Sequence, residues 1–343
     1  MQFLSHTNSS NKRVLIRLDL DLPQDDQGQF DTTRMEVGMA SLEYLWEKHA
    51  SAVTVIAHRG HHVEPCPEFS LQPIAELLYS ALLQRPACAG MSGEQLRSWL
   101  TVRENLRFDA REEEGSLEFA KELASGFDLF VNDAFATAHR KHTSIVFLPK
   151  VLPGVLGIQF EKEYQAFQRV FEQPARPFLF ILGGSKLETK LPLLEEMAKV
   201  VDRILVGGKL AVEAKQGNLT YSNLLQSKMQ IAEITEDTLD ISKEAAERFE
   251  EIIRNAKTIV WNGPMGYFED GEHAAGTRIV GEAVADATHA DAFTMIGGGD
   301  TEAALTVLEL EQPGNYSHIS SGGGAMMQYL AKRTLPAIEA IRE

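Results

Sequence analysis

Only two cysteines, Cys66 and Cys88, occur in 343 residues, and their spacing fits neither a zinc site nor a dithiol motif. That scarcity argues against a secreted disulfide framework, and both read as ordinary thiols. No apolar stretch approaches the roughly 18 residues of a membrane span, and MQFLSHTNSSNKR at the N-terminus has no continuous apolar run. Basic charge is short too: 33 Lys and Arg stand against 49 Asp and Glu, a formal charge of −16. A general nucleic-acid or anionic-membrane binder needs a broadly basic surface, so no nucleic acid and no membrane is expected as a partner. Low-complexity segments and short-period repeats are missing as well. What remains, 44% hydrophobic and 24% charged, is ordinary globular composition, and the length suggests two domains in a cytoplasmic protein.

Short runs rich in Val, Ile and Phe recur, each followed by Gly or a polar residue and then by helical periodicity. They are Val14 to Leu18, Ala52 to Ala57 and Leu129 to Val131, then Phe178 to Leu182, Ile204 to Val206, Thr258 to Trp261 and Phe293 to Ile296. This rhythm predicts α/β architecture: two doubly wound parallel-sheet domains joined by a helix, with an interdomain cleft. Leu191, Leu194, Ala198 and Val201 form one apolar helical stripe; Ile241, Ala245, Phe249, Ile252 and Ala256 form another. The stretch FEKEYQAFQRVFE runs into QPARP, whose prolines end a helix, so the boundary falls between Phe160 and Pro177. Trp46, Trp99 and Trp261 are expected to be packing residues.

Ligands of α/β sheets bind beyond the carboxyl ends of the strands. After the N-terminal runs come LDLDLP, AHRGHH, ENLRF and NDAFATAHRKH, which bring Arg34, His58, Arg107, His139 and Arg140 to one rim. Arginine forks match phosphate or carboxylate oxygens, so this rim reads as an anion pocket. The C-terminal runs end instead in GGSK (183–186), GGK (207–209), NGPMG (262–266), GGGDT (297–301) and SGGGA (321–325). Glycine permits close backbone approach, and amides at a helix start attract phosphate. Asp300 or Thr301 can cap the following helix, and the same Asp300 can hold a magnesium ion beside a polyphosphate. Neither GxxxxGK[ST] nor a complete GxGxxG occurs. One half thus suits a small anion and the other a nucleotide, which makes phosphoryl transfer the leading reading.

The motifs RVLIRLDLDLP, ENLRFDAREEEG, VNDAFATAHRKHTS, ILGGSKLETK, TIVWNGPMGYFE, IGGGDTEAAL and SHISSGGGA cover nearly the whole chain. In this order they resemble the phosphoglycerate kinase family. The resemblance implies reversible transfer of the acyl phosphate of 1,3-bisphosphoglycerate to MgADP, giving 3-phosphoglycerate and ATP, by hinge closure of two domains in a monomer. It implies that Asp19, Asp21 and Arg34 lie at the glycerate end, and that His58, His61, Arg107, Arg140 and nearby His139 bind the rest of that substrate. For the nucleotide it implies Gly183, Lys186, Lys190, Gly207, Gly208, Asn262, Pro264, Glu269, Gly298, Gly299, Asp300 and Thr301, with Asp300 on Mg2+. Arg34, Lys190, Gly299 and Gly323 take the catalytic roles, Gly323 and Gly324 offering amides. Lys186 and Lys190, four apart, are expected on one helix face. The implied domains are residues 1–165, with 326–343 packing back on them, and 172–325.

Three positions and one shortened segment depart from the family pattern. The asparagine of DFNVP is Asp21, which adds a negative charge worth on the order of 4 kcal/mol of repulsion at ~4 Å and an effective dielectric near 20. The arginine of HLGRP is His61, with Arg59 as a possible substitute; the third glycine of GGG is Lys209. The chain is also short around 211–240 by about one strand-helix unit, with the family's valine-rich strand not recognisable. These departures keep open a kinase-like protein that binds without turnover in a regulatory role, and a kinase with a changed acceptor or nucleotide. The histidines 58, 61, 62, 139 and 142 with Cys66 leave a transition-metal site as a further alternative.

Overall fold

The structure is a computed structural model that describes every residue except Asp26, His62, Asn218, Leu219 and Glu343. The chain divides into two compact units, Met1–Tyr164 with Thr334–Glu343, and Gln165–Arg333. The division falls inside the helix Ile158–Phe171.

In the first unit, β1 (Arg13–Arg17), β2 (Ala52–Ile56), β3 (Leu100–Val102), β4 (Leu129–Asn132) and β5 (Gly154–Leu156) form a parallel sheet of order β3-β2-β1-β4-β5. Side chains alternate between its faces, as a strand period of two requires. Val14, Ile16, Val53, Val55 and Val131 join Met39, Leu42, Leu78 and Leu82 in one core. Leu15, Ile56 and Phe130 point the other way, onto Phe119, Leu123 and Leu148. Trp99 donates its indole N–H to the Ala50 carbonyl (2.9 Å) and meets Trp46 edge-on, so both are packing residues.

In the second unit, β6 (Phe178–Leu182), β7 (Arg203–Val206), β8 (Met229–Ile231), β9 (Thr258–Asn262), β10 (Phe293–Gly297) and β11 (His318–Ser320) form a parallel sheet of order β11-β10-β9-β6-β7-β8. Leu179, Ile181, Leu205, Ile259, Trp261 and Ile296 pack under Phe249, Ile253, Val280 and Val284 from the helices Lys243–Arg254 and Ala275–His289. Ser242 caps the first of these by accepting from the Ala245 N–H (3.2 Å), and Ala245, Phe249 and Ala256 are buried with Ile252 packed against them at the core's edge, as the stripe predicts, while Ala246 and Ile253 are buried as well. The helix Leu187–Ala198 turns Leu193, Leu194 and Met197 inward rather than Leu191.

A strand does exist in the shortened stretch: Met229–Ile231 pairs along β7. Residues 326–332, expected with the first unit, lie in the helix Gly323–Lys332, which belongs to the second. Its Tyr329 stacks on Phe167 at 4.3 Å and on Phe171 at 6.3 Å. The return begins at Thr334, and the Ala337 N–H bonds to the Ala138 carbonyl (3.1 Å). No helix among the described residues is long and apolar enough to cross a membrane.

Candidate active site

The strand order of the first unit reverses between β1 and β4, which places its ligand edge where Arg17, Asp19, His58 and the segment after Asn132 meet. Arg17 ends β1 fully buried and donates to Glu112 (3.2 Å), to Thr137 (3.3 Å) and to Ser144. Arg107 is buried as well; its guanidinium donates to the Gly60 carbonyl, lies 2.9 Å from His61 Nδ1 and sits 3.0 Å from Glu113. Because a guanidinium only donates, His61 Nδ1 accepts there and its Nε2 carries the proton. Arg140 lies 3.5 Å from His58 Nε2.

Asn105 sets these loops side by side. Its Oδ1 accepts from the N–H groups of Arg59 and Arg107 (both 3.1 Å), and its Nδ2 donates to the carbonyls of Arg59 (2.7 Å) and Phe69 (3.0 Å). The motifs single out neither Arg17 nor Asn105, and they offer His142 only as a metal ligand. A charged residue closing an otherwise apolar strand, as Arg17 does, was the available signal, since an arginine is rarely buried without partners.

Burial first, and then Arg17, Arg107 and Arg140, push the His58 pKa well below the ordinary imidazole value. Burial, Arg17, Arg140 and Arg107 likewise push His142 down to about 4. His139 is lowered by burial and by Arg140, and the Nδ1 atoms of His58 and His139 are buried without a hydrogen-bond partner. The pocket is therefore a concentration of positive charge that an anion relieves. Binding an anion should raise both histidine values and draw in protons. Calorimetry of sulfate binding near pH 6, in buffers of different ionisation enthalpy, should show net proton uptake, with affinity rising as pH falls; buffer-independent heats would reject this coupling. The same sign holds for folding, because neutral buried histidines make stability fall as pH drops from the unfolded histidine value towards about 4 for His142.

Asp19 is half-buried, and burial raises its pKa against the pull of Arg34. Exposed Arg34 donates to the Asp21 carbonyl (2.9 Å). One Asp21 oxygen accepts from the Gly60 N–H (2.8 Å) and the other lies 3.6 Å from His58 Nε2, so the extra carboxylate is tied to the loop that carries His58 to His61. Arg59 does not replace the missing arginine. Its guanidinium donates to the Ser70 carbonyl (3.1 Å) and to Gln24 (3.0 Å) and stacks over Phe30 (4.7 Å).

The second unit reverses its strand order between β6 and β9. There Gly183 and Gly184 donate to the carbonyls of Asn262 (2.8 Å) and Pro264 (3.0 Å). The two loops touch because both are glycine: a Cβ on Gly183 would collide with the Gly263 and Pro264 carbonyls. The Asn262 amide donates to the Gly297 carbonyl (2.6 Å), and Thr301 Oγ1 accepts from the Gly263 N–H (2.7 Å).

Two cavities open at this edge and share Gly184 and Asp300. One, ≈ 260 Å³, is lined by Lys190, Asn262, Gly298, Gly299, Asp300, Thr301, Gly323 and Gly324. The helices Gly299–Val307 and Gly323–Lys332 both begin at it, so two N-terminal dipole ends and one ammonium face the same space. Lys190 Nζ donates to the Gly183 carbonyl (2.8 Å); burial lowers its pKa, while Asp300 and then Glu213 oppose the shift. The other cavity, ≈ 420 Å³, is lined by Gly208, Lys209, Val212, Thr238, Leu239, Pro264, Tyr267 and Glu269 among others, so it stays open with Lys209 in its wall. A cavity of ≈ 830 Å³ lined by Arg176, Asp202, Arg203 and Arg248 lies instead at the starts of β6 and β7, away from these loops.

Several expectations change. Neither Asp300 nor Thr301 caps its helix; Gly298 is the N-cap residue and Thr301 is buried in the loop contact. Lys186 is itself the N-cap of Leu187–Ala198, in the left-handed region (φ 66°), so the same-face argument with Lys190 does not apply. Glu213 takes the N–H groups of Lys186 (3.2 Å) and Leu187 (2.6 Å). Gly183, Lys186 and Gly207 are not among the residues lining either cavity, and the Gly207 and Gly208 amides bond to the Leu182 (3.0 Å) and Met265 (2.9 Å) carbonyls. Among the described residues no group of three or more His, Cys, Asp and Glu is placed to hold a metal, which removes support from the transition-metal alternative; His62 lies outside them.

The phosphoglycerate kinase family model matches residues 4–233 and 213–333. The chain belongs to that family. A phosphoglycerate kinase of Desulfosudis oleivorans is 36% identical over 397 aligned positions, covering 99% of this chain and 98% of that one. One of Chloroflexus aggregans is 34% identical over 390, covering 97% of each. Among solved structures, phosphoglycerate kinase from Coxiella burnetii aligns with a TM-score of 0.83 at 30% identity, covering 99% of this chain and 98% of that one. The Pyrococcus horikoshii enzyme gives 0.81 at 28%, covering 100% and 98%. The two stretches matching the family model overlap at residues 213–233, within the segment that reads as short for the family.

Proposed function

We propose that this phosphotransferase moves the acyl phosphate of 1,3-bisphosphoglycerate to MgADP and runs the reverse reaction with 3-phosphoglycerate and MgATP. The observation that carries the proposal is a family relationship spanning 97% or more of the chain. The two sites agree with it: a pocket rich in arginine in one unit, and glycine-edged cavities with paired helix N-termini in the other.

In the forward direction the bond between the phosphoryl group and the glycerate carboxylate oxygen breaks as one to a β-phosphate oxygen of ADP forms. No protein nucleophile is needed, so the residues act by position and charge. Arg17, Arg107, Arg140 and His58 supply the field for the phosphate that stays on the glycerate. His61 offers its Nε2–H beside them, while Asp19, Asp21 and Arg34 border the glycerate end and His139 stands close by. Lys190 and the amides at Gly298, Gly299, Gly323 and Gly324 meet the transferring phosphate. Glu269, Pro264 and Gly208 bound the larger cavity that takes the nucleoside, and Asn262 lines the smaller one beside Lys190.

Asp300 fits a magnesium ion: it is exposed at the junction of the cavities, and Mg2+ takes one or two carboxylates with phosphate and water oxygens completing the shell. When bound, that ion neutralises phosphate charge. A cytoplasmic monomer is the form proposed for the enzyme. Asp21, His61 and Lys209 leave the neighbouring arginines and glycine loops in place, so a kinase-like protein without turnover gains no support from them. A coupled assay with millimolar MgATP and 3-phosphoglycerate should show turnover; none above background would overturn the assignment.

A further inference from the structure

The stretch that follows β8 builds a tight turn that forms part of the nucleotide cavity. Thr235 closes it: its N–H and hydroxyl bond to the Asp240 carbonyl (2.9 and 3.0 Å), and the hydroxyl also reaches Asp237 (2.6 Å). Asp237 accepts from the Leu239 N–H (3.1 Å), and Thr238 is held at a positive φ of 65°. The turn thereby places Thr238 and Leu239 in the cavity wall beside Tyr267, whose N–H bonds to the Leu239 carbonyl (2.8 Å).

One side chain fastens this turn to the opposite wall. His273 Nδ1 lies 2.6 Å from Asp270, just after Glu269, and its Nε2 lies 2.9 Å from Asp237 on the turn. We propose that His273 is a positioning residue of the nucleotide site, holding the Thr235–Asp240 turn in the cavity wall by bridging Asp237 and Asp270. The inference rests on the proposed seating of the nucleotide in that cavity.

Asp270 and Asp237 contact the imidazole, and Asp240, which accepts from the Gly276 and Ile241 N–H groups (both 2.8 Å), interacts with it electrostatically. Asp270 and then Asp237 raise the His273 pKa, and Asp237 is itself held down at about 2 by Thr235, Leu239 and His273. Each contact therefore favours the imidazolium. The bridge is complete below the raised His273 value and weakens as pH climbs through it.

The test is direct titration of MgADP into the full-length protein. His273→Ala should weaken MgADP roughly three- to tenfold, the scale of one or two partly exposed ion pairs, and leave 3-phosphoglycerate binding unchanged. Wild-type MgADP affinity should fall as pH rises through the raised His273 value, in a step that His273→Ala lacks. Asp237→Asn, which leaves the His273–Asp270 pair intact, should shift that step to lower pH. Unchanged MgADP affinity in His273→Ala, or a pH step that persists in it, overturns the inference. Glu269→Ala tests the underlying reading separately. If it also leaves MgADP untouched, the seating in this cavity is wrong; if it weakens MgADP while His273→Ala does not, only the role of His273 fails.

Discussion

Lys190→Ala is expected to lower kcat by about 10²- to 10³-fold, the usual scale for removing a donor aimed at charge that develops in a transition state. Lys190 is half-buried, its one hydrogen bond is to the Gly183 carbonyl, and burial already lowers its pKa. A half-buried ammonium against a neutral carbonyl is compensated only in part, by the fields of Asp300 and Glu213, and a phosphoryl group in the adjoining cavity supplies the rest. The two helix N-termini at the same cavity bind ground state and transition state alike, so nucleotide KM should change less than kcat. The melting temperature should hold or rise, because truncation removes a desolvated cation. Steady-state kinetics beside a melting curve check this; a kcat within tenfold of wild type would remove Lys190 from the transfer step.

The strands that the sequence made legible are the central ones. β1, β2 and β4, with β6, β7, β9 and β10, are runs of four or five residues, mostly buried on both faces, and they read as unbroken apolar stretches. The four that escaped, β3, β5, β8 and β11, are the edge strands of the two sheets, each three residues long, with β5 also bridged to Phe3 at Leu156. Three residues carry no periodicity, and an edge need not be apolar on both faces. The same limit hid Met229–Ile231, so the shortened stretch looked emptier than it is. Motif order placed the arginines and glycines near the strand ends, but it could not distinguish a side chain facing the pocket from one holding the loop. Arg59, beside His58 in sequence, turns away to Phe30, whereas Arg17, inside an apolar run, lies with the cluster that lowers the pKa of His58 and His142. Lys186 was misplaced for a local reason: its left-handed backbone takes it out of the helix whose periodicity had been used to aim it.

Glu112→Ala should cost about 3 to 5 kcal/mol of stability, the scale for breaking a buried ion pair from one side. Glu112 sits fully buried in the short helix Arg111–Glu114 and accepts from Arg17 (3.2 Å), from the Ser144 hydroxyl (2.5 Å) and from the Ser144 N–H (3.0 Å). Burial pushes the Arg17 pKa down and the Glu112 pKa up, and the charge of each opposes the other's shift. Without the carboxylate, Arg17 keeps hydrogen bonds to the hydroxyls of Thr137 and Ser144 and the field of Asp19, opposed by the fields of Arg140 and Arg107. Glu112→Gln retains an acceptor of similar shape and should lose less, about 1 to 3 kcal/mol. An anion in the pocket then takes over part of the missing charge. Sulfate or 3-phosphoglycerate should therefore raise the melting temperature of Glu112→Gln by more than it raises that of wild type, since a ligand that binds the folded state more tightly stabilises it more. Equal ligand-induced shifts would separate Arg17 from the anion pocket and leave the pair a purely structural role; an unchanged denaturation midpoint in Glu112→Ala would show that Arg17 is not paired as described.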